Sequence, residues 1–266
     1  MQRTVSAHVD AQIVDTTDLV LSIAVARGPD IAEESLSMTL EGQPLEFTEV
    51  VEADGTRLHV CRGIPTGQFV AEYQATVDGQ ARAAWHDDIA EFVYARPSRY
   101  CESDELFHSA SALFGGLQGH DLVNAVREWV NQNVQYFSGW SRVTDGALET
   151  FLQRQGVCRD FAHLVVTLLR GLSVPTRFTS VYAPGLQPMD FHAVAEAYID
   201  GQWWIVDAPG LAPRASMLRI ATGRDAADTA FMTTMRGGVQ MGDMTVTATV
   251  DPELPIEDPT ALIPLL

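Results

Sequence analysis

Through the first ~95 residues, apolar and polar positions tend to alternate in short runs: "VDTTDLVLSIAVARG", "LSMTLEG", "TRLHVCRG", "GQFVAEYQATVDGQ" and "DIAEFVYA". Gly, Pro and Asp punctuate them. A period of two marks strands with one buried face, and strands at this density predict a small antiparallel sandwich or barrel. Cys61 falls inside one such run and reads as a small core residue.

The pattern breaks at "ARPSRYCESDEL". Pro97 disfavours helix at Arg96, and Ser103 and Asp104 are cap residues for a helix through "ELFHSASALFGGL". From His120 the period becomes helical: Leu122, Val123, Val126, Trp129, Val130 and Val134 share one face. "DGALETFLQR" predicts a shorter helix, ended by Gly156. A third helix runs from about Cys158 to Leu172, with Phe161, Leu164, Val165, Leu168, Leu169 and Leu172 inward and Gly171 and Pro175 marking its end. Strands follow in "TRFTSVYA", "FHAVAEAYID", "QWWIVDAP" and "MTVTATV", with a further one around "AFMTTM". The resulting division is a β-sandwich at 1–95, a linker and helix at 96–119, an α+β unit at 120–250 and a proline-rich tail at 251–266.

Composition narrows the function classes. The 266 residues carry 17 basic against 35 acidic side chains, a formal net charge of -18. Without clustered basic residues, nucleic acid is not an expected partner. Every basic residue is arginine; genomic composition bias explains the absence of lysine. The N-terminus has no apolar run of signal-peptide length and no segment approaches membrane-spanning length, so no membrane association is expected and the default location is cytoplasmic. Three widely spaced cysteines make neither a disulfide framework nor a zinc site, although His163 lies five residues after Cys158. No P-loop, dinucleotide fingerprint or calcium loop is present, so no metal or other cofactor is expected.

The chemistry collects around "RQGVCRDFAHLVVTLLR". Cys158 sits where backbone N–H groups lack intrahelical partners and the helix dipole is positive; both favour a thiolate. Gly156 permits a tight turn beside it. In "DFHAVAEAYIDGQWWIVDAPG", Asp200-Gly201 is a two-residue hairpin turn, so paired residue numbers sum to 401. Asp207 then lies opposite Val194 and is the diagonal same-face neighbour of His192, about 7–8 Å away between α-carbons. A one-residue slip would separate them onto opposite faces. Thiol, imidazole and carboxylate are the parts of an acyl-transfer triad: Cys158 attacks, His192 handles the proton and Asp207 orients the ring. From the residues alone a second reading stays open, in which His192 is a half-buried strand histidine and Asp207 a strand-end turn residue. Glu196 reads as solvated or ion-paired, Arg159 and Asp160 as an exposed ion pair, and Arg177 as structural.

The order Cys, His, Asp, in "GVCRDFAHLVVTLLRGLSVPTRFTSVY" followed by "HAVAEAYIDGQWWIVDAP", resembles the transglutaminase-like superfamily. The resembling core runs from about Asp121 to Gly210. "PSRYCESDE", the β-rich beginning and "GRDAADTAFMTTMRGG" look like its bacterial, cysteine-protease-like branch. The resemblance implies an α+β, papain-like core, a nucleophile helix packed on an antiparallel sheet, behind the N-terminal β-sandwich. It places nucleophile, base and acid on Cys158, His192 and Asp207. The Cys-Gly-Ser/Ala-Cys run of the papain enzymes proper is absent. Family members often add an aromatic oxyanion donor upstream of the nucleophile, for which Tyr136 is the first candidate and Trp140 the second; core packing is the competing role for both. The implied activity is thiol-dependent acyl transfer at amide bonds of a peptide, protein or other amide substrate, most simply by a peptidase or amidase. Transglutaminase or deamidase action on glutamine is the alternative within this chemistry, and a catalytically silent binding module is the alternative outside it.

Overall fold

The computed structural model describes residues 1–81 and 89–265. Its first half is β1 (Gln2–Ile13), β2 (Thr17–Leu21), β3 (Asp30–Leu40), β4 (Gln43–Pro44), β5 (Thr48–Val51), β6 (Arg57–Ile64) and β7 (Gly67–Asp78). Burial alternates strictly along most of β1 and β7, as a half-buried strand requires. Val5, Ala7, Val9, Ala11 and Ile13 meet Phe69, Ala71, Tyr73, Ala75 and Val77 in one core that also holds Cys61.

The run "DIAEFVYA" departs from its expectation. Asp88 lies outside the described residues, and the rest forms the single helical turn α1 (Ala90–Val93). Ile89 and Phe92 are each 61% exposed there. Alternation over so few residues does not separate a strand from a turn of helix.

The chain continues through α2 (Phe107–Phe114), α3 (Gly119–Asn133), β8 (Gln135–Tyr136), α4 (Ala147–Gln153), β9 (Gln155–Gly156) and α5 (Cys158–Gly171). Next come β10 (Thr176–Tyr182), β11 (Phe191–Ile199), β12 (Gln202–Val206), β13 (Leu218–Gly223), β14 (Met232–Met235) and β15 (Val239–Asp251). Four of these strands form a sheet in the order β12-β11-β10-β13. The helix α5 is buried along nearly its whole length. It packs on Ala195 and Ala197 of β11, small residues that let a helix approach a strand closely. The antiparallel sheet carrying a buried helix is the α+β core expected. The strand β13, "LRIATG", is an addition that its short apolar run did not announce.

Two segments expected inside the catalytic unit belong elsewhere. β15, which contains "MTVTATV", pairs with β1 from Gln2↔Asp251 to Ile13↔Val239, giving a sheet ordered β15-β1-β7-β3-β4. β14 pairs with β2 in the second sheet, β14-β2-β6-β5. Residues 232–251 therefore extend the N-terminal sandwich, which moves the end of the catalytic unit back from residue 250. Periodicity reports a strand and its buried face but not its partner, and β1 and β2 each had a free edge to cover.

The two parts share a core. Tyr182, Leu218, Ile220 and Ala221 of the catalytic sheet belong to the sandwich's hydrophobic cluster. The Tyr182 hydroxyl donates to the Ile23 carbonyl at 2.7 Å, and the Ala26 N–H donates to the Arg219 carbonyl at 2.8 Å. The tail also docks: Arg214 donates to the Glu257 carboxylate and to the Asp258 and Ala261 carbonyls, while the Ile205 N–H donates to Ile263 O at 2.9 Å. Among the described residues no helix is long and apolar enough to cross a membrane.

His163 is wholly buried in α5, stacked between Tyr100 at 5.3 Å and Phe178 at 4.9 Å. Its Nε2 accepts the Ala226 N–H at 3.1 Å. Burial, helped by Arg159 and Arg170, holds its pKa well below the ordinary histidine value. The unfolded chain takes up a proton below about pH 6.5 that the folded protein refuses, so stability falls as pH drops through that range. In chemical denaturation at a series of pH values, His163→Phe is expected to show a shallower loss between pH 6.5 and 5. At pH 7.5 it should be about 1–2 kcal/mol less stable than the parent, because the buried Ala226 N–H loses its acceptor.

Candidate active site

The first turn of α5 is closed by one of its own side chains. Asp160 Oδ2 accepts the Val157 N–H at 2.8 Å, three residues back, and the carboxylate is 1% exposed. Asp160 is thus a helix cap, and the ion pair expected with Arg159 is present, with Oδ1 at 3.3 Å from the guanidinium, but its carboxylate is buried, not exposed. Arg159 also donates to Ser141 Oγ at 2.7 Å and the Arg142 carbonyl at 2.8 Å, and so fastens the 141–142 loop to the helix start.

Gly156 has a different role from the one its position suggests. The helix α4 ends earlier, at Arg154 in the left-handed conformation (φ 59°). Gly156 instead pairs with Tyr136 in the short parallel ladder of β8 and β9. A Cβ on Gly156 would stand 2.5 Å from Asp160 Cβ and 2.8 Å from Oδ2. Glycine is required because the Asp160 side chain, from Cβ to the capping carboxylate, occupies that space.

The ladder brings Tyr136 to Cys158. The phenol lies beside Cys158, and burial together with that neighbour pushes it up to about 12. It therefore keeps its proton, and can donate it, at neutral pH. Tyr136 is 41% exposed, open to an incoming molecule. Trp140, the second candidate, gives its indole N–H to Gln153 Oε1 at 3.0 Å and faces away.

The hairpin has the register that its turn dictates. Ile199 faces Gln202, Tyr198 faces Trp203 and Ala195 faces Val206. Asp200 and Gly201 both take positive φ, 53° and 82°. One step beyond the last pair, Asp207 Oδ1 meets His192 Nε2 at 3.0 Å, and neither side chain is exposed to solvent. His192 Nδ1 has no nitrogen or oxygen partner and is the nitrogen left for sulfur. Burial pulls the imidazole pKa down, but Asp207 and the adjacent Cys158 sulfur overcome that and raise it to about 10. Nε2 faces the carboxylate and Nδ1 is left unpaired on the side of the ring away from it.

The other two thiols differ sharply. Cys61 and Cys101 are buried, and burial pushes them up to about 11 and about 12. Cys158 is half-buried, and all three cysteines are free.

Glu196, read as solvated or ion-paired, is fully buried. It is gripped by Arg177 Nε at 2.9 Å, Arg219 NH1 at 2.6 Å and the Thr179 hydroxyl at 2.8 Å. Burial would raise its pKa, yet the two guanidiniums hold it well below the usual carboxylate range. Trp203 lies under Arg177, 4.2 Å from guanidinium carbon to ring centroid, and Trp204 donates to the Ile199 carbonyl. These groups brace the strand that carries His192. Among the described residues no cluster of three or more His, Cys, Asp or Glu side chains has the geometry to hold a metal.

A thiol at a helix start, an imidazole–carboxylate pair on an antiparallel hairpin and a phenol meet at one site. The family model described as the transglutaminase-like superfamily matches residues 114–208. A candidate cysteine protease from Cytophaga hutchinsonii is similar over 98% of this chain and 96% of its own, at 33% identity and a TM-score of 0.88. An uncharacterised protein of Mycobacterium leprae is 29% identical over 136 residues. That alignment spans about half of each chain, 47% in both cases. The chain belongs to the transglutaminase-like superfamily.

The Gly156–Asp160 lock supplies a test of this local architecture. Gly156→Ala should lower stability by about 2 kcal/mol, the usual scale of overpacking. In an Asp160→Gly background the same change should be nearly neutral, because the colliding Cβ and carboxylate are both gone. Thermal unfolding of the four proteins in this cycle measures the difference.

Proposed function

We propose that the protein is a thiol-dependent acyl-transfer enzyme acting on amide bonds, most simply a cysteine peptidase or amidase. The observation that carries this reading is the meeting of Cys158, Tyr136 and the His192–Asp207 pair at the start of α5. The description of the Cytophaga hutchinsonii relative as a candidate cysteine protease points the same way. The free thiols favour a reducing compartment, in keeping with a cytoplasmic location.

In this mechanism the Cys158 thiolate adds to the amide carbonyl, and the carbonyl π electrons move onto oxygen. The Cys158 N–H and the Tyr136 hydroxyl donate to that oxyanion. As the tetrahedral intermediate collapses, the C–N bond breaks and His192 gives its proton to the departing amine. The thioester that remains is attacked by water, which His192 deprotonates, releasing acid and thiolate. An amine in place of water would give transamidation through the same groups. Asp207 keeps Nε2 occupied, so that the proton in play is the one on Nδ1.

The first test is thiol reactivity. At pH 7, iodoacetamide should label Cys158 at least tenfold faster than Cys61 or Cys101 by peptide mass spectrometry, and His192→Ala should remove most of that advantage. Equal rates at all three sites would defeat the assignment.

Turnover of amide substrates, with water against a labelled primary amine as acceptor, supplies the second test. Since the chain has no lysine, label entering an added acceptor protein cannot come from crosslinking to lysines of the enzyme itself. Asp207→Asn is expected to fold with a nearly unchanged melting temperature and to lose orders of magnitude in kcat. Tyr136→Phe should lose about a hundredfold in kcat with little change in KM, the signature of a donor acting mainly in the transition state. A fully active Asp207→Asn would mean that another group holds the ring.

A further inference from the structure

The carboxylate that meets His192 stands just past the end of the ladder that aligns it. The last pair of β11 and β12 is Ala195↔Val206, so Asp207 begins the connection that leaves the sheet. Among the described residues, no backbone group from Asp207 to Ala212 is hydrogen-bonded to another backbone group. One side chain does that holding instead. Asn131, in the last turn of α3, donates from Nδ2 to the Ala208 carbonyl at 2.8 Å. Asn131 itself is exposed, whereas Ala208 is buried, so removing the amide opens no core cavity and strips the carbonyl of its donor.

Packing joins the same points. Val123, Val126 and Val130 of α3 share one hydrophobic cluster with Leu164, Val165 and Leu168 of α5, and Val206 and Ala208 lie in it too. The helix α3 is thus seated on the helix that begins with Cys158, and its Asn131 grips the chain one residue from the acid. Apolar contact fills space without fixing direction, while a hydrogen bond at this distance fixes the orientation of the peptide unit it holds. We propose that Asn131 is a positioning residue, which by holding the Ala208 carbonyl keeps the Asp207 carboxylate turned to His192 and aligned with the helix that carries the thiol. Its consequence for turnover rests on the acyl-transfer reading above, and its test includes an arm that does not.

That arm reads the imidazole directly. In protein carrying labelled histidine, with the His192 ring resonance assigned by its loss in His192→Gln, the ring should titrate above the usual histidine range, because Asp207 favours the charged form. In Asn131→Ala the midpoint should fall by about one pH unit, the scale of one lost hydrogen bond. Asn131→Gln, which keeps the donor on a longer arm, should recover part of that fall. Asn124, two turns earlier on α3, supplies the control: it makes a bond of the same kind, at 3.2 Å, to the Thr260 carbonyl of the tail. Asn124→Ala should leave the His192 midpoint at the parent value, whatever it does to the melting temperature. With an amide substrate, Asn131→Ala should lose about fivefold to tenfold in kcat at unchanged KM, and the alkaline limb of its pH profile should move down with the ring.

An unmoved His192 midpoint in Asn131→Ala, or an equal fall in Asn124→Ala, overturns the proposal. So does a loss of kcat without the shift. If no amide is turned over while the midpoint responds as expected, the acyl-transfer reading fails and the positioning role stands.

Discussion

Everything at the site depends on where α5 begins. A thiol at a helix start gains from the dipole and from free N–H groups only if the first turn is held still and kept open at one end. Asp160 does the holding by accepting the Val157 N–H, and Gly156 makes room for it. The same glycine aligns β9 with β8, so the lock on the helix also sets the distance between Tyr136 and the Cys158 N–H. Behind that first turn the helix is buried, mostly by apolar side chains, which resists sliding or rotation.

The second constraint is charge in a dry place. The strand β11 and its neighbours hold an imidazolium–carboxylate pair and, two alternate positions further on, a carboxylate between two guanidiniums. Each charge would be expensive to bury alone. Paired, they constrain strand positions, because a shifted register would leave buried ions unmatched. The Glu196 cluster also ties β10, β11 and β13 together from within the sheet. His192 is therefore mounted on a strand that resists displacement from either side.

The sandwich and the tail complete the enclosure. Tyr182, Leu218 and Ile220 bury themselves in the sandwich core, so the catalytic sheet has no independent hydrophobic surface on that flank. The tail lies along the outer strand β12 through the Ile205–Ile263 hydrogen bond and is pinned by Arg214.

What the sequence determined by itself was local. The 3.6-residue pattern after Cys158 defined α5 and its inward face, and Asp200-Gly201 set a two-residue hairpin whose register placed Asp207 beside His192. Those relations depend on residues near in the chain, where turn stereochemistry and periodicity leave few alternatives. Tertiary structure decided what depends on distant partners. The β15 strand reads as a strand in isolation, yet only the free edge of β1 gave it a place. Glu196 reads as solvated or ion-paired, and only Arg177 and Arg219, the latter from a strand that periodicity missed, make it a buried ion pair. Asp160 and Gly156 looked like an exposed ion pair and a helix terminator because their collision space exists only once the first turn of α5 has formed. Tyr136 comes to the thiol through a two-residue ladder that carries no detectable period, so that approach came from the fold alone.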